Sequence, residues 1–179
     1  MAYADKILRI REAREKDEQP LLDAFRKWGF EAQFTHGSPM DTKRKGDVIF
    51  WRSGWKVSRA IESQVSRKHK SFSYTADKVN RYGGNYVLLG CLEDAPSVPG
   101  EATPMFFAIV EAPEFHQALL SGDIGKLSET NGMYFIIRPT ELALLRALYM
   151  GPTIEAAVER LVADLPGEGP AGQTLVNEE

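Results

Sequence analysis

A run of seven apolar residues in the middle of the chain constrains the fold most. Residues 86–92 read Tyr-Val-Leu-Leu-Gly-Cys-Leu and contain no charged side chain. So short a run, with β-branched and aromatic members, is typical of a strand that is buried on both faces. Such strands lie in sheets that carry helices on both sides, so the run predicts an α/β fold.

The segments before this run predict a helix, three strands, a second helix and then the buried strand. Apolar residues recur at helical spacing up to Gly29, and alternation with polar residues begins at Phe30. Ser53-Gly54 is typical of a tight turn between two strands. The predicted elements are helices over 4–16 and 17–28, strands from Phe30 to about His36, over 47–51 and over 55–65, and a helix from Ser73 or Thr75 to Tyr82.

The second half of the chain predicts an extension of this core. We expect strands over 105–110 and 133–137, and helices over 140–150 and 153–165 that resemble a helix-turn-helix. The last helix offers three acids against Arg160 alone, which suits packing or an oligomer surface better than a DNA backbone. The predicted organisation is a core over 1–92, an extension over 93–165 packed on the same domain, and a flexible tail over 166–179.

Composition excludes several classes of protein. Hydrophobic residues make up 43% and aromatic residues 10% of the 179 residues, which excludes a wholly disordered chain. No apolar run approaches the roughly 18 residues of a membrane span, and the N-terminus lacks the apolar core of a signal peptide. We therefore expect a cytoplasmic location. Cys91 is the only cysteine, which excludes an intramolecular disulfide and a cysteine-based zinc site.

The net charge of −3 conceals an uneven distribution. Residues 1–90 hold 18 basic and 11 acidic side chains, whereas residues 91–179 hold 4 basic and 14 acidic ones. Nine basic residues lie between Lys43 and Lys70, where Asp47 and Glu62 are the only acids. Such asymmetry indicates a basic working surface suited to a polyanion.

Asp47 and Glu62 occupy positions that suggest a metal site. Asp47 opens one predicted strand and Glu62 lies within the next, while Glu18 lies on the inward side of the preceding helix. Clustered carboxylates are stabilised by a cation, and Mg²⁺ binds through one or two carboxylates while keeping waters or substrate phosphate. A metal site amid basic residues indicates phosphodiester hydrolysis. Taken singly, either acid also fits a solvated strand residue that balances nearby Lys and Arg.

The order and spacing of these residues resemble the PD-(D/E)xK nuclease superfamily, whose core has the predicted order of elements. Within it the chain is most similar to archaeal-type Holliday junction resolvases over about residues 12–92. The motifs that carry the resemblance are Glu18 eleven residues before Gly29-Phe30, Gly37-Ser38 after the first strand, Gly46-Asp47, Glu62-Ser63-Gln64 fifteen residues later, and Arg81-Tyr82-Gly83-Gly84.

The resemblance implies a restriction-endonuclease-like fold around a mixed sheet and a Mg²⁺-dependent endodeoxyribonuclease, with Mn²⁺ as the alternative ion. By analogy it implies a homodimer acting on four-way DNA junctions in recombination and repair. Asp47, Glu62 and the Ser63 carbonyl would bind the metal, Glu18 would hold a metal water, and Ser38 would contact DNA near the scissile phosphate. The residues expected to bind DNA are Lys43, Arg44, Lys45, Arg67, Lys68, Lys70 and Lys78.

Gln64 departs from the motif, since it occupies the place of the lysine. Glutamine can still orient water, but loss of one preorganised stabilising donor can cost about 10²–10³ in rate. Lys78, on the following helix, could supply the missing charge instead. Two alternatives to the nuclease therefore stay open: a DNA-binding module that has lost turnover at Gln64, and a protein-interaction component of a nuclease or recombination assembly.

Overall fold

The computed structural model describes residues 2–35, 46–66, 71–91, 106–128 and 132–167. Residues 94–104 and most of the predicted tail lie outside these ranges. The first half of the chain forms α1 (Ala2–Lys27), β1 (Glu31–Phe34), β2 (Val48–Trp51), β3 (Arg59–Ser66), β4 (Phe72–Thr75), α2 (Ala76–Arg81) and β5 (Tyr86–Cys91). The second half forms β6 (Phe106–Glu111), α3 (Ala112–Ser121), β7 (Lys126–Leu127), β8 (Tyr134–Ile137), a 3₁₀ helix (Pro139–Leu144), β9 (Leu148–Gly151) and α4 (Ile154–Ala163).

A mixed six-stranded sheet in the order β1-β2-β3-β5-β6-β9 organises the molecule. β3 and β5 are parallel and α2 lies between them in sequence, while every other neighbouring pair is antiparallel. The predicted α/β class is confirmed, and the order of helix, three strands, helix and strand holds for the six-stranded sheet, with the unpredicted β4 of the smaller sheet inserted before α2. The arrangement is consistent with a restriction-endonuclease-like core. β5 lies inside the sheet, and Val87, Leu88 and Leu89 are fully buried, as the apolar run predicts.

Separate hydrophobic clusters cover the two faces of the sheet. On one face α1 and α4 pack over alternate strand residues, and the rings of Phe25 and Phe50 stack with centroids 3.9 Å apart. The other face packs against α2, α3 and a small sheet of order β4-β8-β7. Because side chains alternate along a strand, neighbouring residues of β2 and β3 belong to different faces.

The N-terminal helix is one element rather than the two that were predicted. α1 runs through Pro20, whose missing N–H removes one helical hydrogen bond. The burial of Leu21, Leu22 and Phe25 just beyond it accounts for the continuation, because packing of an apolar face contributes more to helix stability than local propensity does. α1 is also too highly charged to cross a bilayer, and no helix in the described residues could do so.

The predicted helix over 140–150 is wrong. A 3₁₀ helix buries Leu142, and the chain then extends into β9, which pairs with β6 from Phe107 to Val110. The leucine spacing fits a helix, but β6 would otherwise present an open edge, and the pairing overrides the local pattern. The helix-turn-helix is therefore absent, whereas the last predicted helix is confirmed as α4.

The hairpin that carries the acids forms nearly as predicted. Ser53-Gly54 makes the turn, with Gly54 at φ +87°, a conformation that glycine adopts without strain. β3 begins at Arg59 instead of Trp55. This shorter strand still contains Glu62, Ser63 and Gln64.

Candidate metal and nucleic-acid site

Asp47 and Glu62 lie on neighbouring strands and on the same face of the sheet. The pairing of β2 with β3 ends at Val48 and Ile61, and the Asp47 N–H then donates to the Ile61 carbonyl. The negative charge of Asp47 acts on Tyr74 and Tyr82, which pack on the face that α2 covers, and Lys78 of α2 binds Glu62. Asp47 is 4% exposed and Glu62 5% exposed. Two carboxylates thus meet in a largely dry environment, where charges must be paired or bind a cation.

The backbone around Asp47 is held from both sides. Its N–H donates to the Ile61 carbonyl at 2.9 Å, and its carbonyl accepts from the Thr35 N–H at 3.1 Å. Gly46 precedes it where a Cβ atom would stand 2.4 Å from the Ile61 oxygen, so only glycine allows this approach of the strands. These contacts fix the position of the Asp47 backbone, from which the carboxylate extends.

The backbone of Ser63 contacts the Asp47 carboxylate. Its N–H donates to Asp47 Oδ2 at 2.7 Å. Within a strand the N–H and C=O of one residue point to the same side, so the Ser63 carbonyl is also directed beyond the start of β2. The donor set of two carboxylates and one backbone carbonyl fits a hard cation such as Mg²⁺.

Lys78 reaches this pair from α2. Its Nζ forms a salt bridge with Glu62 Oε1, and the two side chains are only 25% and 7% exposed. Lys78 therefore reaches back to the sheet, as the sequence led us to expect, and contacts Glu62 there. The side-chain oxygen of Gln64 contacts Thr75 instead of the acids: Oε1 accepts hydrogen bonds from the Thr75 N–H and from the Thr75 hydroxyl.

Glu18 lies at the same end of the sheet but on its other side. Glu18 precedes Phe25 by seven residues, about 10.5 Å of helix, and Asp47 precedes Phe50 by three, about 10 Å of strand. Since Phe25 stacks on Phe50, Glu18 and Asp47 lie at similar heights along the direction of β2. However, α1 covers the Phe50 face, whereas Asp47 and Glu62 face α2. Within the described ranges, no three His, Cys, Asp or Glu side chains form a group able to hold a metal.

Most residues expected to touch DNA lie outside the described part of the chain. The structure places Glu18, Asp47, Glu62, Ser63, Gln64 and Lys78. It does not describe Ser38, Lys43, Arg44, Lys45, Arg67, Lys68 or Lys70. In sequence, the segments that contain them precede β2 and follow β3. Asp47 directly precedes β2, and Glu62 is the fourth of the eight residues of β3.

A buried cluster of Tyr74, Tyr82 and His116 lies beneath the acids, and the sequence did not indicate it. The Tyr74 hydroxyl lies 2.8 Å from His116 Nε2, and the Tyr82 hydroxyl lies 2.8 Å from the Tyr86 carbonyl oxygen. Burial first, and then the negative charge of Asp47, raises the pKa of Tyr74; burial, Tyr74 and Asp47 raise that of Tyr82. Both hydroxyls therefore stay protonated, and the Tyr82 hydroxyl donates to the Tyr86 carbonyl.

His116 makes the stability of the protein depend on pH. Burial lowers its pKa from 6.5 to about 4, so the folded protein resists a proton that the unfolded chain accepts. Stability from this group is complete above about pH 6.5 and is lost as the pH falls towards 4, by about 3 kcal/mol. In urea titrations from pH 7 to 4, we expect His116→Gln to remove this part of the loss. An equal loss in both proteins would contradict the assignment.

Comparisons with known proteins give limited similarity. No family model matches the sequence, and no curated protein sequence matches it. A search of solved structures finds Hjc, a Holliday junction resolvase from the archaeal hyperthermophile Archaeoglobus fulgidus. The two chains are 18% identical, the match covers 72% of this chain and 90% of that chain, and the TM-score is 0.40. Neither the identity nor the TM-score identifies a family for this chain.

Proposed function

We propose that the protein is a metal-dependent endonuclease that hydrolyses DNA phosphodiester bonds, with branched DNA such as a four-way junction as its substrate. The observation that carries this proposal is the burial of Asp47 and Glu62 on neighbouring strands, with the Lys78 ammonium bound to Glu62. Buried acids add nothing to a hydrophobic core, and clusters of buried charged side chains are often found at functional sites.

Each residue has a distinct task in this proposal. Asp47, Glu62 and the Ser63 carbonyl bind Mg²⁺ or Mn²⁺, which when bound stabilises charge on the phosphate and lowers the pKa of water. Lys78 supplies positive charge to the attacking water and to the phosphate oxygens, in place of the motif lysine. Glu18 orients water from the end of the sheet. Ser38 and the basic residues of 36–81 bind the DNA backbone, and the acidic second half faces elsewhere.

The proposed substrate geometry rests on analogy. A four-way junction has two-fold symmetry, which a homodimer with two such sites matches. In this proposal the protein acts as a homodimer, and its biological role is in DNA recombination and repair.

A specific contact favours a second candidate function. The salt bridge between Lys78 and Glu62 neutralises a buried carboxylate within the protein itself. With Gln64 in place of the lysine, such a pair also suits a DNA-binding module without turnover.

Incubation of the purified chain with labelled four-way junction and with linear duplex of the same sequence tests the proposal. We expect cleavage of the junction with Mg²⁺ or Mn²⁺ and none with EDTA. Binding that weakens steeply with salt, without cleavage in either ion, would establish the DNA-binding module instead. Absence of binding at low salt would refute both functions and leave a protein-interaction role.

A further inference from the structure

The side chain of Gln64 joins β3 to the beginning of α2. Its Oε1 accepts from the Thr75 N–H at 3.2 Å and from the Thr75 hydroxyl at 3.3 Å. Thr75 ends β4 and occupies the position before the first residue of α2, where a threonine usually caps the helix. Here its side chain makes no cap bond to the helix. The hydroxyl is used for contact with the neighbouring strand instead.

The second contact between the same elements is the salt bridge of Lys78 with Glu62. Glu62 and Gln64 are two residues apart on one face of β3, about 7 Å. Thr75 and Lys78 are three residues apart and lie on one side of the helical turn. The order is reversed between the elements, since Gln64 meets Thr75 and Glu62 meets Lys78. That reversal fits a helix that returns antiparallel to β3 before the parallel strand β5.

α2 needs such an attachment because it is short. It has six residues, of which only Val79 is buried. So short a helix has little stability of its own and depends on tertiary contacts. The direction of the Lys78 side chain therefore depends on where Thr75 is held.

We propose that Gln64 is a positioning residue, whose side-chain carbonyl fixes Thr75 and thereby holds Lys78 against Glu62. A lysine at position 64 has three donors and no acceptor, so it could not receive the two Thr75 hydrogen bonds. The glutamine on β3 and the lysine on α2 thus form one coupled arrangement. Its catalytic consequence rests on the proposed nuclease function, whereas its structural consequence does not.

Chemical labelling of lysines tests the positional claim without any nuclease assay. Gln64→Met keeps the length of the side chain and removes the acceptor, while Gln64→Glu keeps an acceptor at the same place. The rate at which an amine-reactive ester acetylates Lys78 is measured by mass spectrometry of peptides. Exposed Lys56 serves as the reference, and Lys27, paired with Glu155 at a remote site, reports any general loosening.

We expect Gln64→Met to raise the labelling of Lys78 relative to Lys56 by at least about fivefold, since the loss of even one of its two hydrogen bonds to Thr75 has an effect of this size. Gln64→Glu should keep the low rate, and Lys27 should not change in either variant. Thr75→Val, which loses only the hydroxyl, provides a second variant if Gln64→Met does not fold.

Unchanged labelling of Lys78 in Gln64→Met and Thr75→Val would overturn the positioning role, whatever their cleavage activity. Equal rises at Lys78 and Lys27 would also overturn it, since they would indicate general loosening. A selective rise at Lys78 in a protein whose wild type cleaves no DNA would support the positioning role and refute the proposed nuclease.

Discussion

The Asp47→Asn variant is expected to lose at least about a thousandfold in metal-dependent DNA cleavage. In the proposed site the Asp47 carboxylate is one of only two charged ligands, and a metal supplies several kcal/mol of transition-state stabilisation. The substitution removes the charge and keeps the shape. Single-turnover cleavage of a labelled four-way junction in Mg²⁺ measures the effect.

Asp47→Asn should fold and should still bind DNA. The asparagine oxygen can accept the Ser63 N–H as Asp47 Oδ2 does, and one buried negative charge fewer favours a polyanion. Asp77→Asn is the matched control, because this exposed acid on α2 pairs with Arg81 and has no contact with the site. Cleavage that survives in Asp47→Asn at the level of Asp77→Asn would exclude Asp47 as a metal ligand.

The placement of the two acids on one hairpin followed from the sequence, but the register of that hairpin did not. A two-residue turn at Ser53-Gly54 would set Asp47 against Ala60, whereas the longer connection over 52–58 shifts the pairing so that Val48 faces Ile61. The burial of β5 did follow from the sequence, since its run of apolar residues predicts a strand that is covered on both faces. In contrast, the length of α1 and the identity of β9 depend on packing against distant residues, Phe50 and β6 respectively, which no local pattern contains.

The direction of a side chain was harder to predict than its place on an element. Period two puts Gln64 on the same face as Glu62, as the structure has it, but gives no reason for its carbonyl to select Thr75. That choice depends on β4, an unpredicted strand that pairs with β8 from the other half of the chain. The burial of His116 could not be predicted from the sequence either, since it depends on contact with Tyr74 of β4.

Replacement of Lys78 by methionine is expected to lower cleavage by about 10²–10³, the usual effect of removing one preorganised electrostatic donor. Methionine retains most of the apolar length of the side chain but no charge. It also leaves the Glu62 carboxylate buried without this partner, which we expect to cost about 2 kcal/mol of unfolding free energy because the pair is partly exposed. Assays therefore belong well below the unfolding temperature of the variant, and Lys56→Met, on an exposed lysine, is the control.

A second substitution separates catalysis from structure. In Gln64→Lys/Lys78→Met the charge returns to the strand, two residues after Glu62 on the same face, where the motif has it. If Lys78 supplies positive charge to the reacting phosphate, the double variant should recover at least about tenfold over Lys78→Met. If Lys78 only neutralises Glu62 within a DNA-binding module, wild type and both variants will bind the junction and none will cleave it. A wild type that cleaves and a Lys78→Met variant that cleaves equally well would exclude Lys78 from the chemistry and leave Gln64 to orient the water.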